Sequence, residues 1–222
     1  MNANASSKGL SIRDEIDEVK RRRILDEAIN QFFENGYEAT SLESVADALG
    51  VTKQFIYSRF RSKSELLVSI CRAGASAADM TMSYSAGLEG NPAARLAQII
   101  EYFVGLQIAH RREVALFFRE AKSLPNDEAA AIDTCKLNFH RMLCKILNEG
   151  RDAGLFKFDD ASLAASALGG MASWTFTWFQ TEGRWDSMSV ARQLASLALR
   201  TVGVDDPAPF LPSLSSGTRY RA

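Results

Sequence analysis

Apolar positions recur near the 3.6-residue period along almost the whole chain. Nowhere do they alternate in the two-residue rhythm of a half-buried strand bounded by hairpin turns. From Ile12 onward, Ile16, Val19, Ile24, Ala28, Phe32 and Phe33 mark one helical stripe, and Asn35-Gly36 ends it because glycine takes the left-handed cap. Thr40-x-x-Glu43 reads as a capping box that starts a second helix through Leu49, and Gly50 stops that helix. Thr52 caps a third, short helix through about Phe60, and Ser62-x-x-Glu65 opens a fourth. Asn91-Pro92 supplies an N-cap followed by proline in the first helical position. Longer helical segments follow at roughly 92–110, 112–122, 127–152, 160–181 and 187–202. The pattern predicts an all-α chain: a three-helix unit over residues 12–62, then a larger helical bundle over 63–203. Both ends, 1–11 and 204–222, are rich in small and polar residues or proline and read as disordered.

Composition narrows the function classes. The 222 residues are 46% hydrophobic and 24% charged, with a formal net charge of −1. No global field draws in nucleic acid, so such a partner must be met by a local patch. No apolar run reaches the ~18–20 residues of a membrane span, and the N-terminus lacks the apolar core of a secretory signal. Cys71, Cys135 and Cys144 are odd in number and scattered, which argues against a disulfide framework and fits a reducing cytoplasm. Cys135, His140 and Cys144 invite a metal. On a helix, however, Cys135 and Cys144 fall on roughly opposite faces, and the His140–Cys144 pair alone does not close a tetrahedral site. The chain carries no G-x-S-x-G, P-loop, dinucleotide fingerprint or H-E-x-x-H. Neither a metal, nor a cofactor, nor catalysis is expected.

One stretch carries the chemistry. Residues 50–66, GVTKQFIYSRFRSKSEL, interleave Lys53, Arg59, Arg61 and Lys63 with Phe55, Tyr57 and Phe60. Two short helices joined at Gly50 describe a helix-turn-helix: Ala46 is small enough for a close crossing, and Gly50 supplies a positive φ. Ile56 meets Val45, Leu49 and Val51 in a minicore. The second helix of such a unit enters the major groove of duplex DNA with its N-terminal residues at the base edges. Thr52, Lys53, Gln54 and Phe55 occupy that end. Lys53 suits guanine, Gln54 adenine, and Phe55 a thymine methyl, while Tyr57, Arg59, Arg61 and Lys63 suit phosphates. The competing reading is a solvated basic face whose aromatics serve the core. Lys20-Arg21-Arg22-Arg23 admits both phosphate contact and i,i+4 pairing with Asp17 and Glu18. Acidic and basic side chains balance over residues 1–72, so non-specific affinity rests on a narrow strip.

The run ILDEAINQFFENGYEATSLESVADALGVTKQFIYSRFRSKSELL resembles the DNA-binding domain of TetR-family transcriptional regulators. The landmarks are Phe32, Gly36-Tyr37, Thr40, Val45-Ala46, Gly50-Val51, Tyr57, Phe60, Lys63 and Leu66-Leu67. Gln54 departs from the family's usual small residue, and Arg59 from its frequent histidine, which leaves the operator sequence open. The resemblance implies phosphate contacts at Thr40, Tyr57 and Lys63, and base contacts over Thr52 to Phe55. It also implies a cytoplasmic homodimer that binds a palindromic operator.

For the bundle, Ala161, Ala165, Gly169 and Ala172 place small residues on one helical face, and Phe176, Leu194 and Leu197 extend the apolar surface. A four-helix dimer interface between the last two helices of each subunit accounts for them; an internal core is the alternative. By resemblance, the remaining helices enclose a cavity for a hydrophobic or amphipathic effector. Candidate wall residues are Phe103, Leu106, Gln107, His110, Phe117, Phe118, Arg119, Phe139, His140, Leu143, Met171, Trp174 and Trp178. Arg119 and His140 are polar groups within apolar segments, of the kind that orient a ligand in a cavity; the alternative is a surface arginine and a hydrogen-bonded core histidine. A DNA-binding protein whose bundle serves protein–protein contact, with no small ligand, stays open as the second reading.

Overall fold

The computed structural model describes residues 11–212, and among them there is no strand. The helices are α1 (Ile12–Asn35), α2 (Leu42–Leu49), α3 (Lys53–Tyr57), α4 (Lys63–Ala86), α5 (Pro92–Ala109), α6 (Arg111–Glu120), α7 (Asn126–Asp152), α8 (Ala161–Ser173), α9 (Thr175–Trp178) and α10 (Ser187–Thr201). Short 3-10 turns lie at Ala121–Ser123 and Ala208–Phe210. The chain divides into two compact units, Met1–Ile70 and Cys71–Ala222, so the division falls inside α4.

In the first unit, Ile24, Ala28, Phe32, Leu42, Val45, Ala46, Ile56, Phe60, Leu66 and Leu67 form the buried centre. The predicted minicore is tightest at Val45 and Ile56; Leu49 and Val51 are only partly covered. Ile12, Ile16 and Val19, which begin the apolar stripe of α1, are exposed, so only the stripe's later turns are buried. Gly50 lies at φ 65°, ψ 32°, the left-handed conformation the turn requires, and the amide of Val51 closes it on the Ala46 carbonyl at 3.0 Å.

The capping of α2 differs from the expectation. Ser41 is the N-cap and pairs reciprocally with Ser44. Thr40 is 4% exposed, and its hydroxyl donates to the carbonyls of Gln31 and Gly36 at 3.2 and 2.9 Å. At α4 the expected device is present in modified form: Ser62 Oγ accepts from the Glu65 amide, and the Glu65 carboxylate accepts from the Arg61 amide.

In the second unit, α5 is apolar on nearly every side and is accordingly the central helix. It packs against α10, α7, α8 and α9. The segment expected as one helix over 160–181 breaks at Trp174. Thr175 and Thr177 bond back through their hydroxyls to the carbonyls of Ala172 and Trp174, at 2.9 and 2.7 Å. Such local bonds compete with helix propagation, and a run of β-branched and aromatic residues adds little to resist them.

The expectation of a disordered tail from 204 fails over its first residues. Val204 and Pro207 are buried, and Phe210 and Leu211 pack on the bundle core. Apolar burial holds this segment despite its proline content. The expected tail beyond 212 and the arm before Ser11 lie outside the described residues.

Candidate nucleic-acid interface and bundle cavity

α3 is a short helix with one covered and one open side. Thr52 caps it, its Oγ accepting from the Phe55 amide at 3.3 Å, and Ile56 anchors it at zero exposure. Lys53, Gln54, Tyr57 and Ser58 line one surface groove on its open side. Tyr57 is 42% exposed and Arg61 is also on the surface. Lys53 forms an ion pair with Glu43 of α2. The hydrogen bond from Lys53 holds the Glu43 carboxyl below its usual range, and the same bond raises the lysine.

Of the nine residues proposed to face nucleic acid, Thr52, Lys53, Gln54, Tyr57 and Arg61 are exposed together around α3. The other four are engaged within the unit. Thr40 is a correction: buried, with its hydroxyl already donated to two carbonyls, it is a structural residue of the α1–α2 turn rather than a surface phosphate donor. Phe55 is half-buried beneath the Arg59 guanidinium, whose centre lies 4.2 Å from the ring. Arg59 also donates to the Phe55 carbonyl, to Ser58 and to Asp17, the last at 3.0 Å. Lys63 donates to the Tyr37 and Glu38 carbonyls at 2.9 and 3.2 Å and covers the Tyr37 ring.

Within the basic cluster of α1, Arg21 does not pair along its own helix. It donates to the Arg59 carbonyl and to Ser69, and it lies over Phe60 at 4.1 Å. Arg21 therefore clamps the turn after α3 onto α1. Arg22 and Arg23 remain on the surface.

The second unit contains a cavity of about 330 Å³. Of the candidate wall residues, Phe103, Gln107, Phe117, Phe118, Phe139, His140 and Leu143 line it. Phe103 and Phe139 lie 4.5 Å apart between ring centres. Leu106, His110, Arg119, Met171, Trp174 and Trp178 do not line it. Leu106 is core; His110 sits beside Glu113 at 3.8 Å; Arg119 is exposed and pairs with Glu120. Met171 packs on the core, while Trp174 and Trp178 are 58% and 49% exposed because α8 stops short of them. Sequence reasoning missed the wall from α4 (Gly74, Ala75 and Ala78) and that from α8 (Ala165, Ser166, Gly169, Gly170 and Ser173). It also missed Cys135 and Lys136 of α7. Small residues form these walls because they leave room.

The polar groups of α7 have protein partners. His140 Nε2 lies 3.1 Å from Ser162 Oγ and 3.4 Å from Cys144 Sγ. Cys135 donates to Asp79 at 3.2 Å; burial first, then that carboxylate, push its thiol up to about 12.

The proposed dimer face needs correction too. Ala165, Ala172 and Leu194 are buried in the chain's own core, and Gly169 faces the cavity. Ala161 and Phe176 are partly covered, Phe176 by stacking on Phe118 at 5.0 Å. Only Leu197, at 49% exposure, is open. The small-residue stripe lets α8 approach neighbouring helices of its own bundle. The exposed side of α8 carries Leu163, Ala167 and Gly170 instead, with exposed Trp174 at its C-cap.

Comparison with known proteins places this architecture. Residues 24–70 match the family model for bacterial regulatory proteins of the tetR family, and residues 89–202 match the tetracyclin repressor-like C-terminal domain. The HTH-type transcriptional repressor KstR2 of Rhodococcus jostii (strain RHA1) is 27% identical over 186 residues, covering 81% of this chain and 89% of that protein. The TetR-family regulator PfmR of Thermus thermophilus superposes with a TM-score of 0.73 at 29% identity, over 80% of this chain and 97% of the other. AibR, solved with isovaleryl coenzyme A and operator DNA, superposes with a TM-score of 0.67 at 25% identity, over the same shares. With both halves matched and the helix-turn-helix formed, the chain belongs to the TetR family of DNA-binding transcription regulators.

Proposed function

We propose that this protein is a homodimeric repressor that binds a palindromic operator in the cytoplasm and leaves it when a hydrophobic or amphipathic effector enters the bundle cavity. The observation that carries the reading is the open side of α3, where Lys53, Gln54 and Tyr57 stand together beside Thr52. In this reading Lys53 and Gln54 meet base edges, Tyr57 and Arg61 meet phosphates, and Arg59 and Lys63 hold the reading head in shape while lending positive charge. One short helix reads only a few base pairs. Two copies on half-sites about one turn apart supply usable specificity.

The exposed side of α8, with Leu163, Gly170 and Trp174, and Leu197 of α10 support a second copy covering this surface. The cavity supports the effector, and the relative AibR, whose structure holds both an acyl thioester and operator DNA, supports the pairing of the two functions. Gly74, Ala75 and Ala78 bring α4 into the cavity wall, and the same helix begins at Lys63 beside the reading head. A ligand works only through differential affinity for two states; a ~100-fold release of operator takes roughly 3 kcal/mol of coupling.

Selection of the purified protein on random duplex DNA at about 150 mM salt tests the reading. An enriched inverted repeat is the expected result. Retention without enrichment, lost as salt rises, overturns the operator reading. A melting temperature that no apolar or amphipathic compound raises favours a bundle that binds protein instead.

A further inference from the structure

Gln107 lies on α5 in the wall of the cavity and is 6% exposed. Its carbonyl oxygen Oε1 is buried and meets no hydrogen-bond donor of the protein. Other polar wall groups differ: His140 contacts Ser162 and Cys144, Cys135 contacts Asp79, and Lys136 pairs with Asp133. A buried carbonyl oxygen without a partner is costly, and buried polar groups in folded proteins are almost always paired. An apolar side chain of the same length fills this position without that penalty.

We infer that the cavity selects an apolar molecule bearing a hydroxyl group that Gln107 binds. The inference rests on the reading of the cavity as an effector site and names the chemistry that the site takes. A hydroxyl donates to Oε1, and it also accepts from the amide nitrogen if the side chain turns over, so it satisfies Gln107 in either orientation. A ketone or thioester carbonyl satisfies only the second. The volume of about 330 Å³ holds a ligand of roughly ten to fifteen non-hydrogen atoms. Phe103, Phe117 and Phe139 offer its body aromatic surface, and Lys136, on the same wall and half-exposed, offers a cation to an acidic group on the ligand.

Two matched pairs of acids test this: 3-phenylpropanoate against 3-(4-hydroxyphenyl)propanoate, and decanoate against 10-hydroxydecanoate. Each is titrated calorimetrically into the full-length wild type and Gln107→Met. In at least one pair the hydroxylated acid binds the wild type about tenfold tighter, the worth of one well-made buried hydrogen bond, and the preference vanishes in Gln107→Met. Ligand-free Gln107→Met melts higher than wild type, because the orphaned carbonyl oxygen is gone. Equal affinities within both pairs overturn this inference and leave the effector site standing. A preference that persists in Gln107→Met also overturns it. Absence of binding by all four acids counts against the effector site and removes this inference with it.

Discussion

At Gly74, α4 lies close against the backbone of α6. A methyl group at Gly74 comes within 2.8 Å of the Glu113 carbonyl carbon and oxygen and 3.0 Å of the Val114 nitrogen, where ordinary contact begins near 3.4 Å. Gly74→Ala therefore drives the two helices apart by roughly half an ångström, since no flexible side chain is available to yield. Overpacking of this kind costs about 1–3 kcal/mol. Replacing a mid-helix glycine by alanine returns about 1 kcal/mol of helix propensity. The balance is a net loss of about 1 kcal/mol, which lowers Tm by roughly 2–4 °C for a chain of this length. Gly74 also lines the cavity, so the same shift reaches the wall against which an effector rests. Operator affinity should change with it, although no residue of the reading head has been touched. Thermal melts and operator-binding anisotropy on the same preparation measure both effects. A Gly74→Ala protein that melts at or above the wild-type temperature refutes the close approach, and with it the idea that α4 is held against α6 at this point.

Tyr57→Phe weakens binding across all operator variants, whereas Gln54→Ala relaxes choice at a single base pair; equal loss of selectivity in both, measured on a panel of single-base variants, contradicts the division into phosphate and base contacts. Glu43→Gln releases Lys53 from its ion pair and removes an acid from the DNA-facing side, so operator affinity rises in binding titrations at fixed salt; an unchanged affinity shows that the Glu43–Lys53 pair does not face the operator. Burial, and then the Glu120 carboxylate, push the Cys71 thiol up to about 12 from an ordinary value of 9.0. Between these values the unfolded chain releases a proton that the folded chain keeps, so stability falls as pH rises from about 9 to about 12. Cys71→Ala flattens that alkaline limb in denaturant melts taken across the range, and an identical slope shows that Cys71 does not contribute to it.

The reading head was legible because its constraints are local. Gly50, Ala46, Val45 and Ile56 sit at spacings that only one crossing of two short helices satisfies, and the structure puts each where the spacing requires. Helix starts were legible where a side chain that caps its own turn was recognised, as at Thr52, Ser62 and Asn91; at α2 the cap is Ser41, one residue past the Thr40 expected. The break at Trp174 was hidden. Apolar periodicity runs straight through it, and what stops the helix is the choice of Thr175 and Thr177 to bond backward, a competition between two local structures of similar energy. The order of residues 204–212 was hidden for the opposite reason. Its proline-rich composition signals a lack of helix, but Phe210 and Leu211 gain their place from a distant surface that composition does not register.

The remaining misreadings share one cause. Periodicity tells which residues of a helix face the same way; it does not tell which neighbour stands there. The stripe Ala161, Ala165, Gly169, Ala172 does report close approach, yet the helices that approach are α5 and α7 of the same chain, and one side of the gap is the cavity. The exposed surface nearby carries Leu163 and Trp174, large side chains that a search for small ones passes over. Thr40, Arg59 and Lys63 are a related case: each has the chemistry for a phosphate, and each is also held by a carbonyl, a carboxylate or an aromatic ring nearby. Gln107 inverts the case. The sequence marks it only as one candidate wall position among many, and its meaning arises when the fold closes around it and gives its oxygen no partner. Chemistry read from sequence identifies groups able to bind; the packing decides which of them are still available to do so.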